Sequence, residues 1–363
     1  MDAKTATDIV NLNFAYSLGS ISLKKLIQDL PNEPQRFYMF GVPTYNNLGD
    51  QAIAYAEKSF FAKHFPEMAY IEIPEPNTDQ AIDDLLPLLR SSDIIGYTGG
   101  GNIGSVYLNH EEPRRKVFST FVNNKTISFP QSVNFEDNEQ GQEELQKSQE
   151  AYQKNPNLTV VARETKSLDY FKKNFDVNVI YTADIVLSLK PNRPDFKRDG
   201  VLFIMREDSE KVTEDKLLEV LGQALDYVGN DVEQTDTVIP FKAYDGDEKT
   251  NTNLDQVRIS ERKWLLERKL DQIKSSEVIV TDRLHGMIFS VITQTPCLVF
   301  DNSYGKASSS YYNWFEDLDY IQHTTEKEPR KILTMIRDLK KCEHNYPHDF
   351  SHSYDNLIKL IKE

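Results

Sequence analysis

Cysteine is scarce in this chain: there are two in 363 residues, Cys297 and Cys342. Two thiols build no disulfide framework and suit a reducing compartment. Positive charge is also short, with 42 Lys and Arg against 57 Asp and Glu and a net charge of −15. Neither a phosphate backbone nor an anionic bilayer rewards an acidic surface, so nucleic acid is excluded as a main partner and membrane contact is at most peripheral. No apolar run is long enough for a membrane span, and Met1 to Thr5 show no basic flank with an apolar core behind it. A cytoplasmic protein is expected, able to work at the inner face of the membrane. Metal-ligand spacing is missing as well. His344, His348 and His352 recur every four residues, but Pro347 breaks any helix that would align them, and no metal is assigned.

What is present is material for a large core, with 18 Tyr and 19 Phe, and a length that suits about two domains. Ile9, Val10, Leu12, Phe14 and Leu18, then Leu23, Leu26, Ile27 and Leu30, predict one or two helices over 7–30, closed by Pro31 and Pro34. From Arg36 strands alternate with helices: strands at 36–41, 69–73, 93–98, 125–130, 158–162 and 177–181, helices at 50–63, 79–91, 111–122, 139–153 and 165–174. A linker at 190–200 follows. The alternation then resumes with strands 201–205, 237–241, 277–281 and 297–300 and helices 214–228, 254–274 and 286–293. Strands separated by helices call for right-handed crossovers and parallel sheets. The expectation is an α/β protein of two Rossmann-like domains facing a central cleft, 1–190 and 191–345, with a C-terminal helix in 346–363 packing back on the first.

In open α/β sheets ligands bind at the carboxyl ends of the strands. The turn Asp282-Arg283-Leu284-His285-Gly286 lies at such an end. His285 is the side chain there best able to move a proton near neutral pH, and Arg283 adds a planar fork for carboxylate or phosphate. A structural salt bridge and a packing histidine are the alternatives. Arg206 leaves strand 201–205 toward the same edge. In the turn Gly41 to Asp50, Asn46 and Asn47 can bond sugar hydroxyls or cap a helix, and Asp50 reads locally as a cap. Gly99 to Gly104 fits G-x-G-x-x-G, but the next strand ends in Phe129-Pro130-Gln131-Ser132 rather than in an acidic residue. Nicotinamide cofactors are therefore rejected, leaving a backbone cradle for phosphate or sugar or a tight strand-to-helix turn. Asp301 to Lys306 bring further polar groups to the edge, with Tyr311, Tyr312 and Trp314 as sugar-stacking surfaces or core.

Taken in order, Asn47-Leu48-Gly49-Asp50, Gly99-Gly100-Gly101-Asn102, Phe129-Pro130-Gln131-Ser132, Ala162-Arg163-Glu164, Arg206-Glu207-Asp208, Asp282 to Gly286 and Asp301 to Lys306 resemble the polysaccharide pyruvyl transferase family. That resemblance implies a GT-B-like fold and transfer of the enolpyruvyl carbons of phosphoenolpyruvate onto two hydroxyls of one sugar, giving a cyclic pyruvate ketal and phosphate. It implies no cofactor, with phosphoenolpyruvate as co-substrate. The acceptor would be a sugar of a cell-surface or exopolysaccharide precursor, a lipid-linked oligosaccharide included, and a homo-oligomer is compatible. The first domain would take the acceptor and the second the donor. His285 and Arg206 match the family's catalytic histidine and donor-binding arginine; Arg283, Leu284, Asn47, Asp50, Gly100, Gly101, Asn102, Gln131, Ser132, Asn302, Ser303, Tyr304 and Lys306 would bind substrate. Two departures stand out: Ala183 replaces a proline before Asp184, and Met287 follows Gly286 where a second histidine is common. A GT-B glycosyltransferase using a nucleotide sugar and a non-catalytic glycan-binding subunit are the alternatives.

Overall fold

The computed structural model describes residues 9, 11–13, 15, 16, 19–31, 34–208, 210–239, 257, 259–301, 303, 305–342 and 349–363. Seven strands form the first sheet: β1 (Arg36–Val42), β2 (Ala69–Pro74), β3 (Ile94–Tyr97), β4 (Gly100–Gly104), β5 (Thr126–Asn134), β6 (Leu158–Ala162) and β7 (Asn178–Tyr181). Their order is β2-β1-β3-β5-β6-β7, with β4 on β5 off this path. The second sheet has β8 (Val201–Ile204), β9 (Val232–Thr235), β10 (Val278–Thr281), β11 (Cys297–Val299) and β12 (Ile321–His323), in the order β12-β11-β10-β8-β9. The strand pairs are parallel. β1 is buried along its whole length, as a strand covered by helices on both faces must be.

Each sheet reverses its winding once. The chain leaves β1 for β2 on one side and returns to β3 on the other; β8, β9 and β10 repeat that step. Such switch points open a crevice at the strands' carboxyl ends. The turns after β1 and β3 therefore face those after β8 and β10 in a GT-B-like arrangement of two Rossmann-like domains.

The domains share a core. Phe37, Ile53 and Phe60 of the first, Ile185 and Leu187 of the connecting stretch, and Leu270, Ile279 and Met287 of the second belong to one buried cluster. Helix Leu48–His64 packs on helix Arg262–Ser275 across this boundary. Buried Arg262 fixes their register, its Nε donating to Gln51 Oε1 at 2.8 Å and its Nη1 pairing with Glu72. Helix Asp355–Lys362 lies against the first domain, where Lys125 Nζ donates to the Leu360 carbonyl at 3.0 Å. Among the described residues no helix is long and apolar enough to cross a membrane.

Several expected elements fall elsewhere. The strand expected at 237–241 is β9 at Val232–Thr235, a half-exposed edge strand whose Glu233 and Gln234 conceal it. Residues 237–239 instead cross to the first domain: Leu48 N donates to Thr237 O at 2.9 Å and Ile239 N to Asn46 O at 3.1 Å. Residues 240 and 241, the ends of the expected strand, and the start of the helix expected from 254 lie outside the described residues; that helix is described over Arg262–Ser275. The helix expected over 79–91 spans Thr78–Leu85. The glycine stretch enters no helix but extends as β4 along β5, and the next helix starts at Leu108. Trp314 is no sugar platform, because it stacks on Tyr181 at 5.0 Å and donates to the Arg163 carbonyl. Tyr311 and Tyr312 pack around His323.

Candidate active site

The facing turns enclose a cavity of about 340 Å³. On the second-domain side Thr281 anchors the Asp282 to His285 turn: its Oγ1 donates to the Ile204 carbonyl at 2.7 Å and accepts from Arg283 N at 3.0 Å. Asp282 Oδ1 accepts from Arg206 N at 2.9 Å, tying this turn to the one after β8. Burial pushes the Asp282 carboxyl up to about 6 against the pull of Arg206 and Arg283. Gly286 is required for close packing, since a Cβ there would lie 2.3 Å from Thr281 Oγ1.

The arginines come with carboxylates. Arg206 bonds Asp208 through Nε at 2.7 Å and Glu210 through Nη1 at 2.7 Å. Arg283 holds Asp236 in a fork, Nε and Nη2 each at 2.7 Å, and reaches Asp208 through Nη1 at 2.7 Å. Burial opposes the charge on Asp208, but the bond from Arg206 and the charges of both arginines outweigh it and hold its carboxyl at about 2. Lys306 Nζ lies 3.0 Å from the Gly101 carbonyl and 3.4 Å from Glu210 Oε1, and burial lowers its affinity for the proton. Tyr107 of the first domain donates to the same Glu210 oxygen at 2.6 Å.

His285 stands between the domains, second residue of helix Leu284–Thr293. Its ring packs on the backbone of Gly49, where a Cβ would lie 2.3 Å from Nδ1. Its Nε2 is buried with no hydrogen-bond partner among the described residues; Asp184 Oδ2 lies 3.8 Å away. Burial lowers the imidazole's proton affinity and Arg163 and Arg283 act in the same direction, while Asp184 and Asp50 oppose them. Asp184 is fixed in turn. Its Oδ2 accepts from Arg163 Nη1 at 2.7 Å, its Oδ1 from Val186 N at 2.9 Å, and its carbonyl from Tyr354 Oη at 2.6 Å.

Of the residues singled out in the sequence, His285, Arg206, Arg283, Leu284, Asn47, Asp50, Gly101, Asn102 and Lys306 line the cavity. Asn47 also caps helix Leu48–His64, its Oδ1 accepting from Gly49 N at 2.9 Å, and Asn102 accepts from Arg114. Gly100 sits behind the wall at φ 141°, with Asp50 Oδ1 3.7 Å from where its Cβ would be. Gln131 and Ser132, expected at the substrate, lie a layer deeper: Gln131 Nε2 donates to the Thr98 carbonyl at 2.8 Å, and Ser132 joins Glu164 to Arg163. They brace the wall rather than form it. Ser303 is exposed, meeting Glu210 only through its backbone N at 3.3 Å, and Asn302 and Tyr304 lie outside the described residues.

Tyr45, Tyr107, His110, Arg163 and Glu210 also line the cavity. Tyr45 and Arg163 stood inside turns already picked out in the sequence, and Glu210 lies two residues beyond the turn Arg206-Glu207-Asp208. Tyr107 and His110 follow β4, and nothing local distinguishes them from core aromatics.

Over 87% of its length the chain shares the fold of an uncharacterized protein from Klebsiella pneumoniae, covering 98% of that structure at 19% identity with a TM-score of 0.54. It is 46% identical to General stress protein 30 of Bacillus subtilis across 92% of this chain and 93% of that one. It is 28% identical to Pyruvyl transferase 1 of Schizosaccharomyces pombe across 76% and 68% of the two chains. Residues 47–304, which include most of the residues around the cavity, match the family model described as polysaccharide pyruvyl transferase, and the chain belongs to that family of enzymes.

Proposed function

We propose that the chain transfers the pyruvyl carbons of phosphoenolpyruvate to two hydroxyls of one sugar in a cell-surface glycan precursor, forming a cyclic ketal and releasing phosphate. The observation that carries this reading is the gathering of Arg163, Arg206, Arg283 and Lys306 around His285 in one cavity, in a chain whose net charge is −15. A carboxylate and a phosphate three atoms apart need such a local cluster, because the protein's overall field repels them. All four are held by carboxylates, Arg206 and Arg283 by Asp208, Lys306 by Glu210 and Arg163 by Asp184, which keeps them ordered, and Arg163 and Lys306 are the cations nearest Gly101.

In this reading His285 gives its proton to the methylene carbon of the donor, and the carboxyl-bearing carbon gains oxocarbenium character. The first sugar hydroxyl adds there, its proton returning to the histidine. The second displaces phosphate, which leaves carrying that hydroxyl's proton. Asp50, Asn47 and Tyr107 on the first domain face the sugar. The donor is a co-substrate, and neither cofactor nor metal is assigned.

The test is phosphate release from phosphoenolpyruvate with a panel of galactosides, glucosides and N-acetylmannosamine derivatives, the ketal carbon read by NMR. Acceptor-dependent release with a ketal signal is expected. No release with any acceptor, together with thermal stabilisation by a nucleotide sugar, would replace this reading with glycosyl transfer.

A further inference from the structure

His285 poses a chemical problem. A general acid must hold a proton at working pH, yet this ring is buried, begins a helix whose N-terminus disfavours a cation, and has Arg163 and Arg283 nearby. Asp50 and Asp184 are the carboxylates that oppose these effects. Asp50 is only part-buried and lines the open cavity, where substrate or water screens it. Asp184 is buried, 4% exposed, and faces the unpartnered Nε2 at 3.8 Å. That separation exceeds a hydrogen bond by about 1 Å. Because Arg163, Val186 and Tyr354 immobilise Asp184, the ring is the partner free to close it.

We infer that Asp184, carried by the first domain, is the positioning residue for His285 of the second: it accepts from Nε2–H and leaves Nδ1 as the nitrogen that carries and delivers the proton. This rests on the reading of His285 as the proton donor in pyruvyl transfer. The logic is that of a histidine whose tautomer is fixed by the bond its other nitrogen makes. Gly49 suits it, having no side chain on the Nδ1 flank. The pairing also spans the cleft, so the acid is complete only when the two domains are seated together. Ser132 and Glu164 take part indirectly, since Ser132 accepts from Arg163 Nε at 2.8 Å and donates to Glu164 at 2.9 Å, fixing the arginine that holds Asp184.

The test uses the full chain labelled with ¹⁵N-histidine, with His285 assigned by the His285→Gln variant. In the wild type, neutral His285 should be the Nε2–H tautomer; a predominant Nδ1–H form overturns the proposal without any further variant. Asp184→Asn should mix the tautomers and move the imidazole's titration to lower pH, and Asp184→Glu should restore part of both. An unmoved titration and tautomer in a folded Asp184→Asn protein also overturn it. In turnover assays Asp184→Asn should lower kcat by roughly ten- to a hundredfold, a share of the usual general-acid contribution. Because Asp184 also holds Arg163, kcat should fall by more than KM for phosphoenolpyruvate rises, and the pH limb should shift with the titration. If the wild type releases no phosphate with any acceptor, the proposed reaction fails while the NMR comparison still decides the role of Asp184.

Discussion

The two walls of the cavity differ in kind. The second-domain wall is dense with charge: Arg206, Arg283 and Lys306 interlock with Asp208, Glu210 and Asp236. The first-domain wall is mostly neutral backbone, amide and aromatic, from Asn46, Asn47, Gly101, Asn102, Tyr45 and Tyr107, with Asp50 and Arg163 as its charged members. A wall of paired ions costs little to reorganise around an anion, because one set of charge-assisted bonds is exchanged for another. A neutral wall of amides and rings suits a sugar, which offers hydroxyls and apolar faces. If the proposed reaction holds, the charged wall is the one suited to the donor and the neutral wall the one suited to the acceptor, with His285 at the seam.

Substitutions on the two walls should therefore behave differently. The largest effect is expected at the seam, where His285→Ala should reduce acceptor-dependent phosphate release by about 10²- to 10⁴-fold, the range for loss of a general acid. Next is Arg283→Met, which strands Asp236 without its fork. Removing one partner of such a low-exposure pair costs about 3 kcal/mol, measurable by urea unfolding. Gly49→Ala should come third, at about 1–3 kcal/mol as for overpacking, and with a fall in kcat, because its Cβ must displace the His285 ring. On the neutral wall Tyr107→Phe removes one bond to Glu210, so about 1 kcal/mol is at stake, and the change should appear in KM for the acceptor rather than for the donor. Equal stability losses in Arg283→Met and Tyr107→Phe would break the comparison.

A separate effect is a pH slope within the charged wall. Asp282 has a folded-state value of about 6 against an ordinary 3.8, so its contribution favours the folded state at low pH and is lost as pH rises through about 6. Asp208, held at about 2, works in the opposite direction: its contribution is present above 3.8 and lost as pH falls through about 2. Urea unfolding at pH 4 to 8 should show the wild type losing stability relative to Asp282→Asn between about pH 4 and 6. A difference constant with pH would contradict this assignment.

Much of this was legible in the chain. The β-branched run Val278–Thr281, the polar turn and the apolar helix behind it place Asp282, Arg283 and His285 at a sheet edge by local pattern alone. Strand β9 was not legible, because an edge strand with Glu233 and Gln234 outward has too little apolar alternation. The glycine stretch misled for another reason: Gly100–Gly104 becomes a strand only because β5 is there to receive it, a partner supplied by tertiary contact. Gln131 and Ser132 were found as residues but misplaced in depth, since sequence order does not say which side of a wall a polar side chain faces.

By itself the sequence determined most of the succession of strands and helices, β4, β9 and β12 excepted, and the order of the turns, because these follow from periodicity and from short-range turn chemistry. It also determined the scarcity of net positive charge that makes the arginine cluster informative. Tertiary structure alone decided which turns meet. Asp184 and His285 are 101 positions apart by their numbers, and Tyr107 and Glu210 are 103. Such pairs exist only when two sheets with matched switch points face each other across one core, a condition that no local pattern encodes.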